Sequence, residues 1–265
     1  MRIVHKSDHM SLRAFLSPRY RVLDNESLVA NVLQEAEKIT DLQVHDASVD
    51  SERLYMRLVT PITGEIEEGD ICQLGLTLRN SEVGDGAIQI NPFILRLVCK
   101  NGLVSQTKYR QVHLGYRRDV GIVSRETIEA DSRSIFSGIR DWVRFVLNPD
   151  RLNETLDLFR ASKQVDIATV EPRVAVANIV KAYNFEPGEA NSIFERYLRG
   201  NDSTQFGMVN AITSAAHTSD FGMRRQVALE EAAGTLLETS RYHTQTMVQR
   251  RVTQKELAKV YGYKG

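Results

Sequence analysis

The spacing of apolar residues changes within the first part of the chain from a helical period to an alternating one. Asp24 or Asn25 can cap a helix through its side-chain oxygen, and the apolar residues that follow recur at helical spacing. From Leu42 the period becomes two, and the alternation is clearest in residues 54–58 and 72–78. The pattern therefore predicts one helix followed by strands.

Turn-forming residues separate the predicted strands. Residues 61–69 begin with proline and contain two glycines, which favours a connecting loop with room for a short strand. Residues 80–86 form a glycine-bearing turn. Asn101 and Gly102 are a pair that two-residue hairpin turns prefer, because both central positions of such a turn need a positive φ. Short connections of this kind favour an antiparallel sheet.

The stretch from 92 to 100 fits two structures. Pro92 suits the first turn of a helix, whereas the dense isoleucine, leucine and valine content suits a buried strand, which is the interpretation we favour. Residues 87–91 and 109–116 are predicted as further strands. Basic and apolar positions are mixed in this region, so its charges cannot all share one face of the sheet.

The second half of the chain is helical. One apolar stripe extends over about 20 residues and ends at Asn148 and Pro149, which stop the helix. The members of the stripe are Ile128, Ile135, Ile139, Trp142 and Val146. Further helices are predicted to start near Leu152, Pro172 and Pro187 and to cover residues 203–216 and 221–243.

This order of elements favours the α+β class: an N-terminal helix, an antiparallel β-meander, a long helix and then a C-terminal helical half. We predict that residues 1–125 form the helix and sheet platform with the basic patch described below, and that residues 126–265 form the helical half. Both are expected to pack as one compact unit, because 265 residues suit one large domain.

Composition is that of an ordinary globular protein. The 34 basic and 34 acidic residues give a net charge of zero, so any attraction of nucleic acid must come from a local patch. The two cysteines are too few for a disulfide framework, and both lie in apolar, strand-like context. No apolar run approaches the ~20 residues that span a bilayer. We expect a cytoplasmic protein with reduced core cysteines and no membrane association.

Positive charge is concentrated in one stretch of this neutral chain. From Arg96 to Arg125 there are seven basic residues and one acid, Asp119, a local net charge of about +6. Cations interleaved with aromatic rings suit a single-stranded polyanion, because the cations follow the phosphates and the rings stack on bases. A solvated sheet face is the alternative interpretation. The residues proposed for binding are Arg96, Lys100, Lys108, Arg110, Arg117 and Arg118, with Tyr109 and Tyr116 for stacking and Arg19 and Arg21 as a second contribution.

No enzyme signature competes with this patch. The chain lacks a phosphate-binding Walker loop, a GxSxG nucleophile turn, an HExxH zinc motif and paired-cysteine motifs. We therefore predict no enzyme activity, no catalytic residue, no bound metal and no cofactor. The acidic loop comprises Glu65, Glu67, Glu68 and Asp70, and the interpretation that we favour is a solvated loop. A metal-dependent hydrolase site and a contact with the basic patch of a neighbouring subunit are the alternatives.

Four blocks occur in order along the chain: RAFLSPRYRVLDN at residues 13–25, NSEVG at 80–84, LRLVCKNGL at 95–103 and QFGMVNAIT at 205–213. Together they resemble a phage- and plasmid-associated domain family of unknown function, over roughly residues 11–240. The family brings no assigned catalytic residues. What the resemblance implies is a setting of mobile elements and of genes that handle DNA.

The predicted architecture is also similar to the core of the phage single-strand annealing proteins of the Red-beta type, in which a β-meander precedes a long helix. In that superfamily the hairpins and the helix form a basic groove, and the subunits assemble into rings or filaments. With the basic patch, these resemblances predict a homo-oligomeric protein of a phage or mobile element that binds single-stranded DNA and anneals strands in recombination. The alternative is a protein-interaction or regulatory factor, such as a host-defence antagonist or an assembly factor, with a host or phage protein as partner and no nucleic-acid binding.

Overall fold

The computed structural model describes residues 2–6, 9–16, 23–99, 101–105, 107–111, 124–217 and 221–262. A short β-hairpin is followed by a helix, a sheet and then helices, which confirms the predicted α+β class. The hairpin consists of β1 (Arg2–Lys6) and β2 (His9–Ala14), which pair antiparallel in a sheet of their own. The apolar pattern did not predict this hairpin.

Six strands form the main sheet. Their spatial order is β3-β4-β5-β6-β7, and β8 pairs with β6 outside this path. The strands are β3 (Gln43–Val49), β4 (Leu54–Glu65), β5 (Ile71–Asn80), β6 (Ile88–Arg96), β7 (Asn101–Val104) and β8 (Tyr109–Gln111). Neighbours in sequence are neighbours in the sheet from β3 to β7, which is the predicted meander.

Alternation along the strands determines which side chains the sheet buries. Leu54 and Leu58 of β4 belong to one buried cluster with Leu76 and Leu78 of β5 and Ile90 of β6. These residues lie two or four positions apart, so they point to the same face of the sheet. The two strands with the clearest period-two signal in the sequence are therefore confirmed.

Two of the predicted connections differ from the structure. β4 continues to Glu65, so residues 61–65 are strand and the loop is confined to 66–70. Asn101 and Gly102 begin β7 rather than forming a turn, and the turn lies at residues 97–99, directly after β6. The asparagine–glycine pair was a local signal that the pairing of β7 overrides.

Residues 92–96 are strand, which confirms the favoured interpretation for that part of the ambiguous stretch. Pro92 lies inside β6, shortly after Ile90, the last β6 residue that pairs with β8. A proline has no N–H to donate to a neighbouring strand. It therefore fits in a strand where a partner strand ends.

Nine helices lie in the described part of the chain, and several begin with a side-chain cap. Asp24 Oδ1 accepts a hydrogen bond from Ser27 N at 2.7 Å at the start of α1, and Ser124 caps α2 in the same way. The helices are α1 (Asn25–Ala36), α2 (Arg125–Val146), α3 (Pro149–Ser162), α4 (Pro172–Tyr183), α5 (Pro187–Gly200), α6 (Gln205–Ala216), α7 (Met223–Glu238), α8 (Arg241–Val248) and α9 (Gln254–Tyr261). Within the described ranges, none combines the length and the apolar character that a bilayer span requires.

The chain forms two compact units whose segments alternate along the sequence. Unit 1 comprises Met1–Ile62, Gln73–Phe93 and Thr107–Arg151. Unit 2 comprises Thr63–Cys72, Ile94–Gln106 and Leu152–Gly265. The division that the sequence suggested after residue 125 falls within unit 1.

Unit 1 has an apolar core between its part of the sheet and two helices. Leu28 and Val32 of α1 and Ile139 and Val143 of α2 are completely buried in the same cluster as the leucines of β4 and β5. Each buried side chain of this size stabilises the fold by about 1.5 to 3 kcal/mol relative to exposure. The core therefore holds α2 against the sheet, where it contacts β8.

Unit 2 consists mainly of α4 to α9 and most of α3, with the short strand β7. Helix α6 is apolar on most sides, and its residues Met208, Val209 and Ile212 are buried. Gly234 of α7 lies so close to the carbonyl oxygen of Val104 in β7 that an added Cβ would overlap it. Glycine at this position thus permits the close approach of α7 to β7.

Candidate nucleic-acid interface

The structure describes four of the ten residues that the sequence proposed for binding nucleic acid. Arg96 belongs to unit 2, whereas Lys108, Tyr109 and Arg110 belong to unit 1. The other six lie outside the described residues: Arg19, Arg21, Lys100, Tyr116, Arg117 and Arg118. For these six, the proposed role stays a prediction.

Arg96 is engaged by partners within unit 2. Its Nε donates to Asp70 Oδ1 at 2.5 Å and its Nη2 to Asp70 Oδ2 at 2.7 Å, the two-pronged geometry of an arginine–carboxylate pair. Nη1 donates to Asn210 Oδ1 at 3.0 Å, and the guanidinium carbon lies 5.1 Å from the centre of the Phe206 ring. Burial acts to lower the pKa of Arg96, but the hydrogen bonds to Asp70 help to raise it above its ordinary value. Arg96 is thus an internal ion-pair residue in this structure.

Two acids of the acidic loop form ion pairs within the same unit. Besides the pair between Asp70 and Arg96, Glu67 Oε2 lies 2.6 Å from Lys163 Nζ. Lys163 Nζ also lies 4.7 Å from the centre of the Phe206 ring, on which Arg96 lies as well. Two of the four acids therefore have cationic partners in their own chain. Less of their charge remains for a metal ion or for a neighbouring subunit.

Lys108 directly precedes β8 and Arg110 lies within it, and both are at the surface of unit 1. Arg110 lies opposite Gln89 of β6, and Tyr109 lies opposite Ile90. Because side chains alternate along a strand, Lys108 and Arg110 leave one side of β8 and Tyr109 leaves the other. Both cations are exposed, and within the described ranges neither side chain has a hydrogen bond or an ion pair. Their charges are available to a ligand.

Tyr109 points toward α2, where it contacts Trp142. The two ring centres are 6.0 Å apart, and the angle between the planes is 37°. Gly138 leaves room for the phenol, because a Cβ added there would lie 3.3 Å from Tyr109 Oη. Burial raises the pKa of Tyr109. The tyrosine therefore supports Trp142 from the side of the sheet, rather than presenting an open ring as the sequence suggested.

The row of rings continues along α2. Trp142 donates its Nε1–H to the carbonyl oxygen of Ile90 at 2.8 Å, which ties the indole to β6. Phe145 stacks on Trp142 with ring centres 4.7 Å apart and 28° between the planes, and it is 37% exposed. The guanidinium carbon of Arg151 lies 4.7 Å from the centre of the Phe145 ring. We refer to Tyr109, Trp142 and Phe145 as the aromatic ladder.

The ladder is the part of the site that the sequence did not single out. Trp142 was assigned to the apolar stripe of α2, and Phe145 was not considered. The two residues are three positions apart and therefore lie on one face of the helix. The sequence contained a signal for this aromatic pair, because the only tryptophan of the chain lies three positions before a phenylalanine. The third ring, Tyr109, could be added only once the position of β8 was known.

The adjacent surface of α2 carries balanced charge. Arg144 Nε donates to Glu35 Oε1 of α1 at 2.6 Å, and Nη1 donates to Asp141 Oδ1 at 3.3 Å. Lys38 donates to Glu35 Oε2 at 2.9 Å. The hydrogen bond from Lys38, with a smaller one from Arg144, lowers the pKa of Glu35. These ion pairs join α1 to α2 and add little net charge for a ligand.

The titratable side chains that the structure describes bear on the predictions for metal binding and for the two cysteines. Among the described residues, no three or more histidine, cysteine, aspartate or glutamate side chains are grouped so that they could hold a metal ion. Cys72 is buried, and burial raises the pKa of its thiol to about 12. Cys99 is exposed, so its assignment to the core was wrong. The absence of enzyme activity and of a cofactor stays a prediction.

A family model described as Domain of unknown function (DUF932) matches residues 14–260. The match includes β8, the aromatic ladder and the Arg96 ion pair, and it confirms the predicted resemblance to a domain family of unknown function. No curated protein and no solved structure matches the chain. The association with phages and plasmids and the similarity to annealing proteins stay predictions.

Proposed function

We propose, on the premise that this chain belongs to the DUF932 family of domains of unknown function, that it binds single-stranded DNA at β8 and the aromatic ladder. One observation carries the proposal. Two exposed cations, Lys108 and Arg110, flank a tyrosine whose ring adjoins the partly exposed stack of Trp142 and Phe145. The cations lie on one side of β8 and the ladder on the other, so a single strand that contacts both passes across β8 within this unit.

Phosphate contacts are assigned to Lys108 and Arg110. Neutralising a phosphate of a single strand releases counterions, and the logarithm of the affinity falls with the logarithm of salt concentration by about 0.7 per phosphate. Lys108 and Arg110 alone therefore predict a slope of about −1.4. A steeper slope would indicate that further cations bind phosphates, such as the basic residues predicted from the sequence that lie outside the described residues.

Base contacts are assigned to the partly exposed rings of the ladder, Trp142 and Phe145. Trp142 is held by its hydrogen bond to Ile90, so little side-chain freedom is lost when a base stacks on this surface. Stacking on an aromatic side chain contributes about 1 to 3 kcal/mol per base and tolerates every sequence. The faces of the bases are open in a single strand and covered in a duplex. The site should therefore prefer single strands.

Strand annealing fits this mode of binding. Stacking engages the faces of the bases, which leaves their hydrogen-bonding edges open to a complementary strand. The reaction requires neither a nucleophile nor a cofactor, and an oligomer would repeat the two cations along the phosphate backbone. We therefore propose an oligomeric annealing protein that acts in the recombination of a phage or another mobile element.

The test is fluorescence anisotropy of a labelled single-stranded oligonucleotide, titrated with protein at low and at high salt beside a duplex of the same sequence. We expect tighter binding of the single strand and a loss of affinity as salt rises. Absence of binding at low salt would overturn the proposal. A positive result would lead to an annealing assay with two complementary strands.

A charge-reversal variant tests the site itself. Lys108→Glu with Arg110→Glu should lower affinity at least tenfold, because two attractive charges become repulsive. Arg241→Glu with Lys255→Glu is the matched control, since these two residues are also exposed but belong to unit 2. Equal losses in the two variants would show that binding depends only on total charge.

The single tryptophan provides a direct reading of stacking. Trp142 is the only tryptophan in the chain, so fluorescence excited at a wavelength that tyrosine does not absorb reports on the ladder alone. Addition of an oligothymidylate should quench this fluorescence, because a stacked base is in van der Waals contact with the indole. Phe145→Ala should reduce both the affinity and the quenching. Binding without any change in fluorescence would exclude the ladder from the interface.

The second candidate is a protein-interaction or regulatory factor with a host or phage protein as partner. It is favoured by apolar side chains that unit 2 exposes on three helices, namely Leu158, Leu198 and Tyr242. This function predicts no salt-dependent DNA binding. The anisotropy titration therefore separates the two candidates.

A further inference from the structure

Strand β3 is an open edge of the main sheet. It occupies one end of the strand order, and β4 is its neighbour there among the described strands. The burial pattern agrees, because five of its seven residues are exposed. An open edge presents backbone N–H and C=O groups that another strand can bind.

The backbone groups that face outward can be identified from the hairpin. Asp50 N donates to Arg53 O at 3.0 Å, which makes these two residues a hydrogen-bonded pair at the turn. Hydrogen-bonded and non-bonded pairs alternate in an antiparallel ladder. Val49 lies opposite Leu54 and Ala47 opposite Met56, both at non-bonded positions. The N–H and C=O groups of Ala47 and Val49 therefore point away from β4.

Exposed apolar side chains lie on the same strand. Val44 is 57% exposed and Val49 is 65% exposed, and Ala47 is exposed as well. Their partners in β4 belong to, or pack against, the core of unit 1, so the three side chains lie on the helix-bearing face of the sheet. A bulge between Val44 and Asp46 ends the regular ladder. The regular edge therefore extends from Asp46 toward the turn.

We propose that a second copy of this chain adds its own β3 to this edge, antiparallel and about a two-fold axis at Ala47. In this register Ala47 pairs with Ala47 of the second copy, and their outward N–H and C=O groups form two hydrogen bonds. Asp46 lies opposite Ser48 of the other chain, so no like charges oppose each other. Val49 lies diagonally across from Ala47 of the second copy, which covers part of its exposed surface. The edge is thus complementary to itself, as a two-fold contact requires.

This inference does not rest on DNA binding, because the contact forms without nucleic acid. It names the self-contact of the proposed oligomer. The bulge and Asp46 restrict the edge, as natural proteins do to avoid indefinite strand addition. A short two-fold pairing is closed, so this contact yields a dimer and not a fibre.

The sharpest test uses two proline variants of the full chain. Ala47→Pro removes an N–H that points outward, so the monomer should keep its fold and its melting temperature, and the dimer should be lost. Ser48→Pro, one residue further, removes an N–H that points to β4 and should destabilise the monomer itself. Sedimentation equilibrium over a concentration series measures the mass, and thermal unfolding followed by circular dichroism measures the fold.

A charge variant keeps the test decisive if the prolines disturb the strand. Val49→Lys places a charge on the edge beside the proposed contact, and the mass in sedimentation should fall from that of a dimer to that of a monomer. Val98→Lys is the control, because Val98 is 64% exposed but lies in the turn after β6. A monomeric wild type at every concentration would overturn the proposal. So would a dimer that survives both Ala47→Pro and Val49→Lys.

Discussion

Replacing Asp70 with asparagine should destabilise unit 2, because Arg96 loses the carboxylate that holds it by two hydrogen bonds. The side chain of Asp70 is 7% exposed and that of Arg96 is 19% exposed. Removal of one partner from a fully buried ion pair costs about 3 to 5 kcal/mol. The pair is slightly exposed, and Arg96 retains Asn210 and the Phe206 ring, so we expect a loss of about 2 kcal/mol.

Urea unfolding followed by circular dichroism measures this loss. The midpoint should fall while the slope of the transition stays unchanged, because the surface exposed on unfolding is the same. The double variant Asp70→Asn with Arg96→Gln should recover part of the stability, since no unpaired charge then remains. A recovery of at least about 1 kcal/mol would measure the coupling between the two residues.

The same variants decide between the two roles of Arg96. If Arg96 is an internal partner of Asp70, then Arg96→Gln should lower stability and leave the affinity for single-stranded DNA within about twofold. If Arg96 binds phosphate, Asp70→Asn should free its charge, raise the affinity and steepen the salt dependence. A stability loss below about 0.5 kcal/mol for Asp70→Asn would refute the reasoning, because the pair would then behave like an exposed surface pair.

Three further predictions concern labelling, acid and packing. In the folded protein Cys99 should react with a thiol reagent and Cys72 should not, because burial raises the Cys72 pKa to about 12; mass spectrometry should count one adduct per folded chain and two per unfolded chain. Hydrogen bonds, above all that from Lys181, hold the pKa of Glu256 at about 2, below its ordinary value of 4.5. The stabilisation is therefore present above pH 4.5 and is lost as pH falls toward about 2. Over that range the protection of α9 from hydrogen exchange, measured relative to an unstructured peptide at the same pH, should fall. Gly234→Ala should cost about 1 to 3 kcal/mol in urea unfolding, because its Cβ would overlap a carbonyl oxygen of β7.

Each of these predictions has a matched control. Labelling of both cysteines in the folded chain would contradict the burial of Cys72. Glu256→Gln should remove the acid-dependent change in α9, and an unchanged pH profile in this variant would assign the effect to another group. Gly188→Ala meets no atom within 4 Å and should be neutral or stabilise helix α5 by up to about 1 kcal/mol. Equal destabilisation by both glycine variants would contradict the steric argument.

The order and type of most elements could be predicted because their signals are local. Helix α2 follows from its apolar stripe, and the strands around Leu58 and Leu76 follow from strict alternation, since the period of the apolar residues is that of the backbone itself. The lone turn signal at Asn101 failed because the pairing of β7 determines where the chain reverses. The hairpin β1–β2 has no clear apolar period and was missed.

The candidate site was predictable only in part. The charge of the sequence alone selected Lys108 and Arg110, and both are exposed in the structure. The same count of charges selected Arg96, whose partner Asp70 belongs to a different loop and could not be assigned from spacing. Net charge over a stretch of sequence treats all cations alike, although burial and a nearby carboxylate remove some of them from solvent.

The sequence by itself determined the α+β class, most of the helices, the main strands and two available cations, because these depend on residue type and on short-range periodicity. It predicted one helix over 221–243, where the structure has α7 and α8, and it did not predict α9. The tertiary structure decided which residues meet. Tyr109 reaches Trp142 through the pairing of β8 with β6. Arg96 reaches Asp70 because the end of β6 lies beside the start of β5. Strand register and helix packing minimise the free energy of the whole unit, so no local pattern contains them.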